Sequence, residues 1–109
     1  MKYRHLGNSG LEVSVIGLGT NNFGGRMEFK EAREVIFAAI DEGMNLIDTA
    51  NIYSHGNSEE IIGRSLVDRR DEVLIATKFG MLWEEGPHGK GGSRKHIVES
   101  LEGSLRRLQ

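Results

Sequence analysis

Three residues whose side chains can hold or move a proton follow two apolar runs of the sequence. Asp48 comes directly after Asn45-Leu46-Ile47, Tyr53 follows it closely, and Lys78 comes directly after Val73-Leu74-Ile75-Ala76-Thr77. If the runs are neighbouring parallel strands, their carboxyl ends meet, which is where barrel enzymes place their chemistry. A nearby ammonium stabilises a phenolate, and a carboxylate keeps that ammonium charged and in place. The pattern therefore predicts Tyr53 as a proton donor near neutral pH, with Lys78 and Asp48 tuning its acidity.

Each of these residues also has a simpler explanation when taken alone. An aspartate after a strand can hold a loop by hydrogen bonds. A tyrosine is more often a packing residue than an acid, and a lysine at a strand end can extend its ammonium into solvent. The combination of Asp48, Tyr53 and Lys78 at adjacent strand ends favours the catalytic interpretation.

The glycine-rich segment 17–25 is a second candidate site. It begins like the dinucleotide motif G-x-G-x-x-G, but Asn22 stands where the third glycine belongs, and the next predicted helix begins only near residue 28. In the dinucleotide fold this turn leads directly into the helix whose N-terminus holds the pyrophosphate. Two interpretations stay open: glycines that permit a tight exit from the strand, or a backbone surface for a ligand at the strand end.

The position of these residues depends on a pattern of short apolar runs that alternate with amphipathic segments. The runs begin near residues 15, 45 and 73, a spacing of about thirty residues that is typical of one βα unit. They predict strands at Val15–Gly19, Asn45–Ile47 and Val73–Thr77, each followed by a helix: Glu28–Glu42 ended by Gly43, one capped by Ser58, and one capped by Ser93. Crossovers of this length imply parallel strands with right-handed connections.

The third helix and the remaining aromatic residues carry further predictions. Its apolar face is expected to consist of Ile97, Val98, Leu101, Leu105 and Leu108. Glu102 and Arg106 have the spacing of an ion pair on a helix. The four histidines lack metal-site spacing, and exposure is the better interpretation for His5, His55, His88 and His96. Trp83 either lines a substrate pocket or anchors its loop.

An N-terminal hairpin precedes the three units. Tyr3–Leu6 and Leu11–Ser14 flank Gly7-Asn8-Ser9-Gly10, a sequence typical of a hairpin turn. The predicted fold class is α/β, with this hairpin and the first three βα units of a (β/α)8 TIM barrel. A closed barrel needs about 250 residues. Residues 1–109 are therefore expected to form the N-terminal part of a single barrel domain, truncated before closure.

Composition restricts the classes of partner. The net charge of -2 offers no basic field for nucleic acid, and no apolar run reaches the roughly eighteen residues that suggest a membrane span. The sequence has no cysteine, hence neither a disulfide nor a thiolate metal site. No metal site is expected, and a cytoplasmic location fits this cysteine usage.

Four segments together form a specific joint motif. They are Ile16-Gly17-Leu18-Gly19-Thr20, Asn45-Leu46-Ile47-Asp48-Thr49-Ala50 with Tyr53, Ile75-Ala76-Thr77-Lys78-Phe79-Gly80, and Ser104-Leu105-Arg106-Arg107-Leu108. With the hairpin, they resemble the aldo-keto reductases over essentially the whole chain. The run Thr77-Lys78-Phe79-Gly80 is most similar to the bacterial branches that also contain the potassium-channel β subunits.

The resemblance implies an NADPH-dependent oxidoreductase that reduces a small aldehyde or ketone to an alcohol. It implies Tyr53 as proton donor, with Lys78 and Asp48 as its tuning partners. It also implies a nicotinamide close to a set of residues at the first two strand ends, namely Gly19, Thr20, Asn21 and Asp48. The catalytic histidine that the family has after its fourth strand lies outside residues 1–109, so this piece alone is expected to be inactive.

Two features of the resemblance leave choices open. Asn21-Asn22 stands where the family commonly has an aromatic residue, and Ser54 stands where it has a glycine. These departures leave the substrate and nicotinamide contacts undetermined. The alternative function is a non-enzymatic, cofactor-sensing regulatory subunit of the same fold, because such subunits can keep the catalytic residues. The oligomeric state does not follow from the sequence.

Overall fold

A computed structural model describes all 109 residues, and its elements alternate in the predicted order. The strands and helices are β1 (Tyr3–His5), β2 (Glu12–Ser14), β3 (Leu18–Gly19), α1 (Phe29–Asp41), β4 (Leu46–Asp48), α2 (Asn57–Ser65), β5 (Leu74–Ala76) and α3 (Arg94–Leu108). Single turns of 3₁₀ helix at Tyr53–Gly56 and Arg70–Glu72 precede α2 and β5. None of the helices combines the length and apolarity needed to cross a bilayer. The cytoplasmic location stays a prediction.

The strands form two separate sheets. β1 and β2 pair antiparallel as the predicted hairpin, and β3, β4 and β5 form a parallel sheet in that order. Gly19 pairs with Asp48, and Asp48 pairs with Ala76. The carboxyl ends of the three strands therefore lie side by side, and the sheet is open rather than closed into a barrel.

The core lies between this sheet and the helices. Its buried apolar side chains come mainly from α1, β4 and α2: Ala32, Ile36, Ile40, Ile47, Ile61, Ile62 and Leu66. Burying each large aliphatic side chain contributes roughly 1.5–3 kcal/mol. A reciprocal capping box between Glu28 and Glu31 begins α1, and Gly43 follows its end with a φ of +90°, as a left-handed C-terminal glycine does.

The first predicted strand is shorter than expected. Only Leu18 and Gly19 pair with β4, whereas Val15 and Ile16 are exposed. The prediction that Val15–Gly19 forms a strand covered on both faces is therefore wrong. Val15 and Ile16 belong to the connection from the hairpin, where Val15 N–H donates to Lys2 O at 3.0 Å.

The predicted apolar face of α3 is mostly exposed. Of its five apolar residues only Leu108 is buried, while four are exposed, namely Ile97, Val98, Leu101 and Leu105. Apart from Leu108, the buried residues of α3 are small or polar: His96, Ser100, Gly103 and Ser104. Small side chains allow α3 to approach α2 closely, since a Cβ added to Gly63 would lie 2.3 Å from Arg107 O. Periodicity locates an apolar stripe but not the neighbour that a helix packs against.

Two local predictions need correction, and one is confirmed. Gly56 occupies the N-cap of α2, so Ser58 lies inside the helix rather than at its cap. Glu102 and Arg106 form no ion pair, and the pair on α3 is Lys95 with Glu99. Ser93 does cap α3, because its Oγ accepts from His96 N–H at 3.1 Å.

His96 is buried, contrary to the predicted exposure of the histidines. Its Nε2 lies 3.4 Å from Ser100 Oγ, and its ring is tilted against Phe79 with centroids 6.0 Å apart. The first turn of α3 faces the loop after β5, which places a polar ring on the packed side of the helix.

Candidate active site

The Lys78 ammonium is the centre of the predicted constellation. Its Nζ lies 2.7 Å from Asp48 Oδ2, 3.0 Å from Thr49 O and 3.4 Å from Tyr53 OH. The side chains of Lys78 and Asp48 are 50% and 47% exposed. The structure thus brings the three predicted catalytic residues together, and it leaves their polar groups accessible from the open face of the sheet.

The register of β4 and β5 explains this meeting. Pairing continues beyond the strands, because Thr49 N–H donates to Ala76 O at 2.8 Å and Asn51 N–H donates to Lys78 O at 3.0 Å. Asp48 ends β4 and Lys78 follows β5, so parallel pairing brings the carboxylate and the ammonium to the same edge. The apolar runs that form these strands therefore determine the position of the charged groups that follow them.

The electrostatics of the site keep Lys78 charged. The hydrogen bond to the Asp48 carboxylate raises the pKa of Lys78 above its ordinary value; desolvation opposes that rise, and the hydrogen bond to Tyr53 adds to it. Lys78 is therefore a cation throughout the neutral range.

The turn that presents Tyr53 has an unusual backbone. Ser54, His55 and Gly56, which we name the left-handed turn, have φ values of +49°, +50° and +90°. Non-glycine residues in this region cost about 1–3 kcal/mol each and persist only when their surroundings hold them. Ser54 Oγ donates to Phe23 O at 2.9 Å, and the His55 ring stacks on Trp83 at 4.0 Å. This turn was not predicted; the one sequence feature that marks it is Ser54, which stands where the family has a glycine.

An open cleft of about 330 Å³ adjoins the phenol and the ammonium. Its lining is mainly apolar and includes Ile52, Phe79 and Met81. Trp83 is outside this lining; it packs between the His55 ring and the Arg107 guanidinium, whose carbon lies 4.9 Å from the ring centroid. These contacts favour the anchoring role for Trp83, which lines a separate small cavity rather than the cleft beside Tyr53.

The four predicted cofactor residues differ in accessibility. Gly19 and Asn21 are exposed at the end of β3, and Asp48 is partly exposed. Thr20 is buried, and both its N–H and its hydroxyl donate to Asp48 O, at 3.1 and 3.0 Å. Thr20 thus ties β3 to β4 behind the site and does not face the cleft.

Ser58 belongs to the support of the site, which sequence analysis did not foresee. Its buried hydroxyl donates towards Thr20 O at 3.0 Å and lies 3.1 Å from Thr20 Oγ1 and 3.2 Å from Thr49 Oγ1. This network joins α2 to the ends of β3 and β4 beneath Asp48. The sequence offered no signal for it, because a serine near a helix start is equally well explained as a cap.

The sequence and fold of this chain are similar to those of known proteins. Residues 15–109 match the model of the Aldo/keto reductase family. This chain belongs to the aldo/keto reductase family. The resemblance inferred from the motifs is therefore confirmed, and the family is one of oxidoreductases.

The relatives of this chain include proteins named as channel subunits and proteins named as reductases. The chain is 45% identical over 113 residues to a "Probable voltage-gated potassium channel subunit beta" of Oryza sativa subsp. japonica, covering 99% of this chain and 34% of the relative. It is 43% identical over 115 residues to "Aldo-keto reductase YhdN" of Bacillus subtilis (strain 168), covering 100% of this chain and 35% of that relative. The chain thus spans about a third of the length of these curated relatives.

A solved structure shares the fold. The holo form of aldo-keto reductase AKR11C1 from Bacillus halodurans superposes with a TM-score of 0.89 at 38% identity, covering 100% of this chain and 37% of that chain. This likeness implies a TIM-barrel fold, of which the three parallel strands here form an open part. The α/β class and the order of the first three units are confirmed.

Proposed function

We propose that the whole protein containing this chain is an NADPH-dependent oxidoreductase that reduces an aldehyde or ketone to an alcohol. The observation that carries the proposal is the double contact of one ammonium: Lys78 Nζ donates to Asp48 Oδ2 at 2.7 Å and to Tyr53 OH at 3.4 Å. A phenol held by a cation at the edge of an apolar cleft is equipped to give up a proton to a bound oxygen.

In this proposal the three side chains divide the proton chemistry. Tyr53 OH donates its proton to the carbonyl oxygen of a substrate in the cleft. The Lys78 ammonium stabilises the phenolate that remains, and the Asp48 carboxylate keeps the ammonium charged and directed at the phenol. NADPH, when bound, supplies the hydride that the carbonyl carbon accepts. Hydride and proton together convert the carbonyl group into an alcohol.

The residues at the β3 and β4 ends fit one part of such a cofactor. Gly19 and Asn21 are exposed beside Asp48, and a Cβ added to Gly19 would meet no atom within 4 Å. The backbone is therefore open to close approach by a flat ring. Gly19, Asn21 and Asp48 would hold the nicotinamide end, while Thr20 would act by fixing the Asp48 backbone. Use of NAD(P)H is general in the family, and the solved relative is a holo form.

The second candidate is a cofactor-sensing regulatory subunit without turnover. The observation in its favour is the name of the rice relative, a probable potassium channel β subunit, whose 45% identity is similar to the 43% of the bacterial reductase. The same residues would then bind a cofactor and report its redox state to a partner protein.

Oxidation of NADPH by the whole protein separates these candidates. We expect NADPH absorbance to fall when a simple aldehyde is added, with one alcohol formed for each NADPH consumed. Binding of NADPH without aldehyde-dependent oxidation, across a panel of aliphatic and aromatic aldehydes and ketones, would favour the regulatory subunit and overturn the proposed reaction.

A further inference from the structure

A single carboxylate lies in the core behind the site. Glu59, in the first turn of α2, is fully buried. Its Oε1 accepts from Thr77 Oγ1 at 2.6 Å, and its Oε2 accepts from Arg107 Nε at 2.7 Å. A buried carboxylate is costly unless it is paired and hydrogen-bonded. A negative charge near a helix N-terminus is stabilising, and the exposed Glu60 in the same turn already supplies one. That effect therefore does not explain why Glu59 is buried.

Oε1 of Glu59 is linked to Lys78 through Thr77. Thr77 and Lys78 are consecutive, yet their side chains contact different elements: Thr77 reaches Glu59 in α2, and Lys78 reaches Asp48 at the end of β4. Successive side chains of an extended chain leave it on opposite sides. Anchoring the Thr77 hydroxyl in the core therefore restricts the direction in which the Lys78 side chain leaves the backbone.

The second oxygen of Glu59 connects to the left-handed turn after Tyr53. Arg107, held by Glu59, lies against the Trp83 ring, and that ring stacks on His55 with an interplanar angle of 10°. Arg107 also packs directly on the turn, since a Cβ added to Gly56 would lie 2.9 Å from Arg107 Cδ. Strained backbone of this kind persists when the surrounding structure determines it. These contacts supply that support.

We propose that Glu59 is a positioning residue that sets the separation of the Lys78 ammonium and the Tyr53 phenol, through Thr77 on one side and through Arg107, Trp83 and His55 on the other. The inference rests on the proposed function for its effect on turnover. The effect of Glu59 on the position of Lys78 does not depend on the proposed function, because the contact of Lys78 with Asp48 can be tested by acylation without a substrate. Glu59 itself contacts neither the cleft nor the reacting groups.

Substitution of Thr77 tests the Lys78 branch in the whole protein. Thr77→Val removes the hydroxyl with little change of shape. Ser65→Ala is the matched control, because Ser65 is a buried hydroxyl on the same helix as Glu59 that donates only to Ile61 O. Thr77→Ser keeps the hydroxyl and should rescue the defect. The readout is the acylation rate of Lys78 by an amine-reactive ester at alkaline pH, followed by mass spectrometry of the labelled peptide.

We expect Lys78 in Thr77→Val to react about threefold faster than in the wild-type protein, because a looser contact with Asp48 lets the pKa of Lys78 fall. Ser65→Ala and Thr77→Ser should react as the wild type does. In turnover, Thr77→Val should lower kcat about tenfold, with the KM for the carbonyl substrate changed less than about twofold.

Substitution of Trp83 tests the Tyr53 branch. Trp83→Leu removes the ring between Arg107 and His55, and Leu82→Ala is the control at the adjacent, exposed position. We expect Trp83→Leu to lower kcat about tenfold at an unchanged KM, with the Lys78 acylation rate unaltered. The proposal requires both branches, so it is overturned if either Thr77→Val or Trp83→Leu behaves like its control. If instead Tyr53→Phe leaves carbonyl reduction intact, the proposed function fails, while Lys78 acylation still decides whether Thr77 directs the ammonium.

Discussion

The two ion pairs near the strand ends use a carboxylate in opposite ways. Asp48 and Lys78 are each about half exposed, and the ammonium has a second partner in the Tyr53 phenol. The side chains of Glu59 and Arg107 are 0% and 17% exposed, and each oxygen of Glu59 accepts a hydrogen bond from a protein donor. The first pair directs polar groups at a cleft, whereas Glu59 is held by Thr77 and Arg107 away from that cleft. An exposed pair beside a phenol can act on a ligand, and a buried carboxylate away from the cleft holds other residues in place.

The largest expected effect comes from removing the Tyr53 phenol, which Lys78 of the exposed pair contacts. Tyr53→Phe should lower the rate of carbonyl reduction by about 10²–10⁴-fold, the usual contribution of a general acid, while NADPH binding stays close to that of the wild type. Steady-state kinetics and a fluorescence titration of NADPH measure the two quantities.

The other tyrosine of the chain is the control for this change. Tyr3 OH donates to Gly43 O at 2.8 Å, far from the cleft in the fold, so Tyr3→Phe should leave the rate unchanged. A Tyr53→Phe rate within a few-fold of wild type would remove the phenol from the mechanism.

The buried pair should dominate stability rather than chemistry. Arg107→Met leaves the Glu59 carboxylate buried without its charge partner, and breaking a buried pair in this way costs about 3–5 kcal/mol. The free energy of unfolding from denaturant titration measures this loss. Arg106→Met changes the adjacent, exposed arginine, which has no ion pair, and should cost much less. Equal losses in the two variants would show that the buried pair contributes nothing special.

Lys78→Met, which removes the ammonium of the exposed pair, should change the pH dependence of the reaction. In the proposed reaction the phenol must be protonated, so we expect the rate to fall as pH rises through the ionisation of the proton donor. Removing the ammonium destabilises the phenolate, and the alkaline fall in rate should therefore move to higher pH while the maximal rate drops about tenfold or more. A profile that keeps its shape after scaling would contradict this role. Lys30→Met, an exposed lysine on α1, is the control.

The smallest expected effect is that of Asp48→Asn, which frees the lysine without removing it. The rate should fall less than in Lys78→Met and the alkaline fall should move in the same direction. For stability, Asp48 raises the pKa of Lys78, so the pair stabilises the fold at neutral pH and ceases to do so as pH rises through the raised pKa, above the ordinary 10.5. The difference in thermal stability between wild type and Asp48→Asn should therefore shrink above that pH, and a pH-independent difference would argue against the pair.

The sequence predicted the exposed pair well and the buried pair not at all. Asp48 and Lys78 follow apolar runs whose parallel pairing is dictated by the βα spacing, so their meeting follows from strand order alone. No pattern in the sequence marks Glu59 as buried, because its burial depends on how α3 packs. That packing could not be predicted, since the apolar stripe of α3 is exposed and its small residues face α2.

The left-handed turn lay beyond prediction for a similar reason. Ser54 and His55 adopt a conformation that their residue types do not favour, and it is held by contacts from Phe23 and Trp83. Tertiary contacts of this kind leave no periodic signal in a sequence. The buried position of His96 also depends on a distant partner, the loop that carries Phe79.

A double-mutant cycle on Tyr53 and Lys78 shows whether the ammonium acts through the phenol. The rate of carbonyl reduction is measured for Tyr53→Phe, Lys78→Met and the double variant, with NADPH binding measured for each. Residues that act as one unit give strongly non-additive effects. We expect the double variant to be no slower than Tyr53→Phe alone, since Lys78 has nothing to stabilise once the phenol is gone. Losses that multiply in the double variant would show that the two groups act independently and would overturn the proposed role of Lys78.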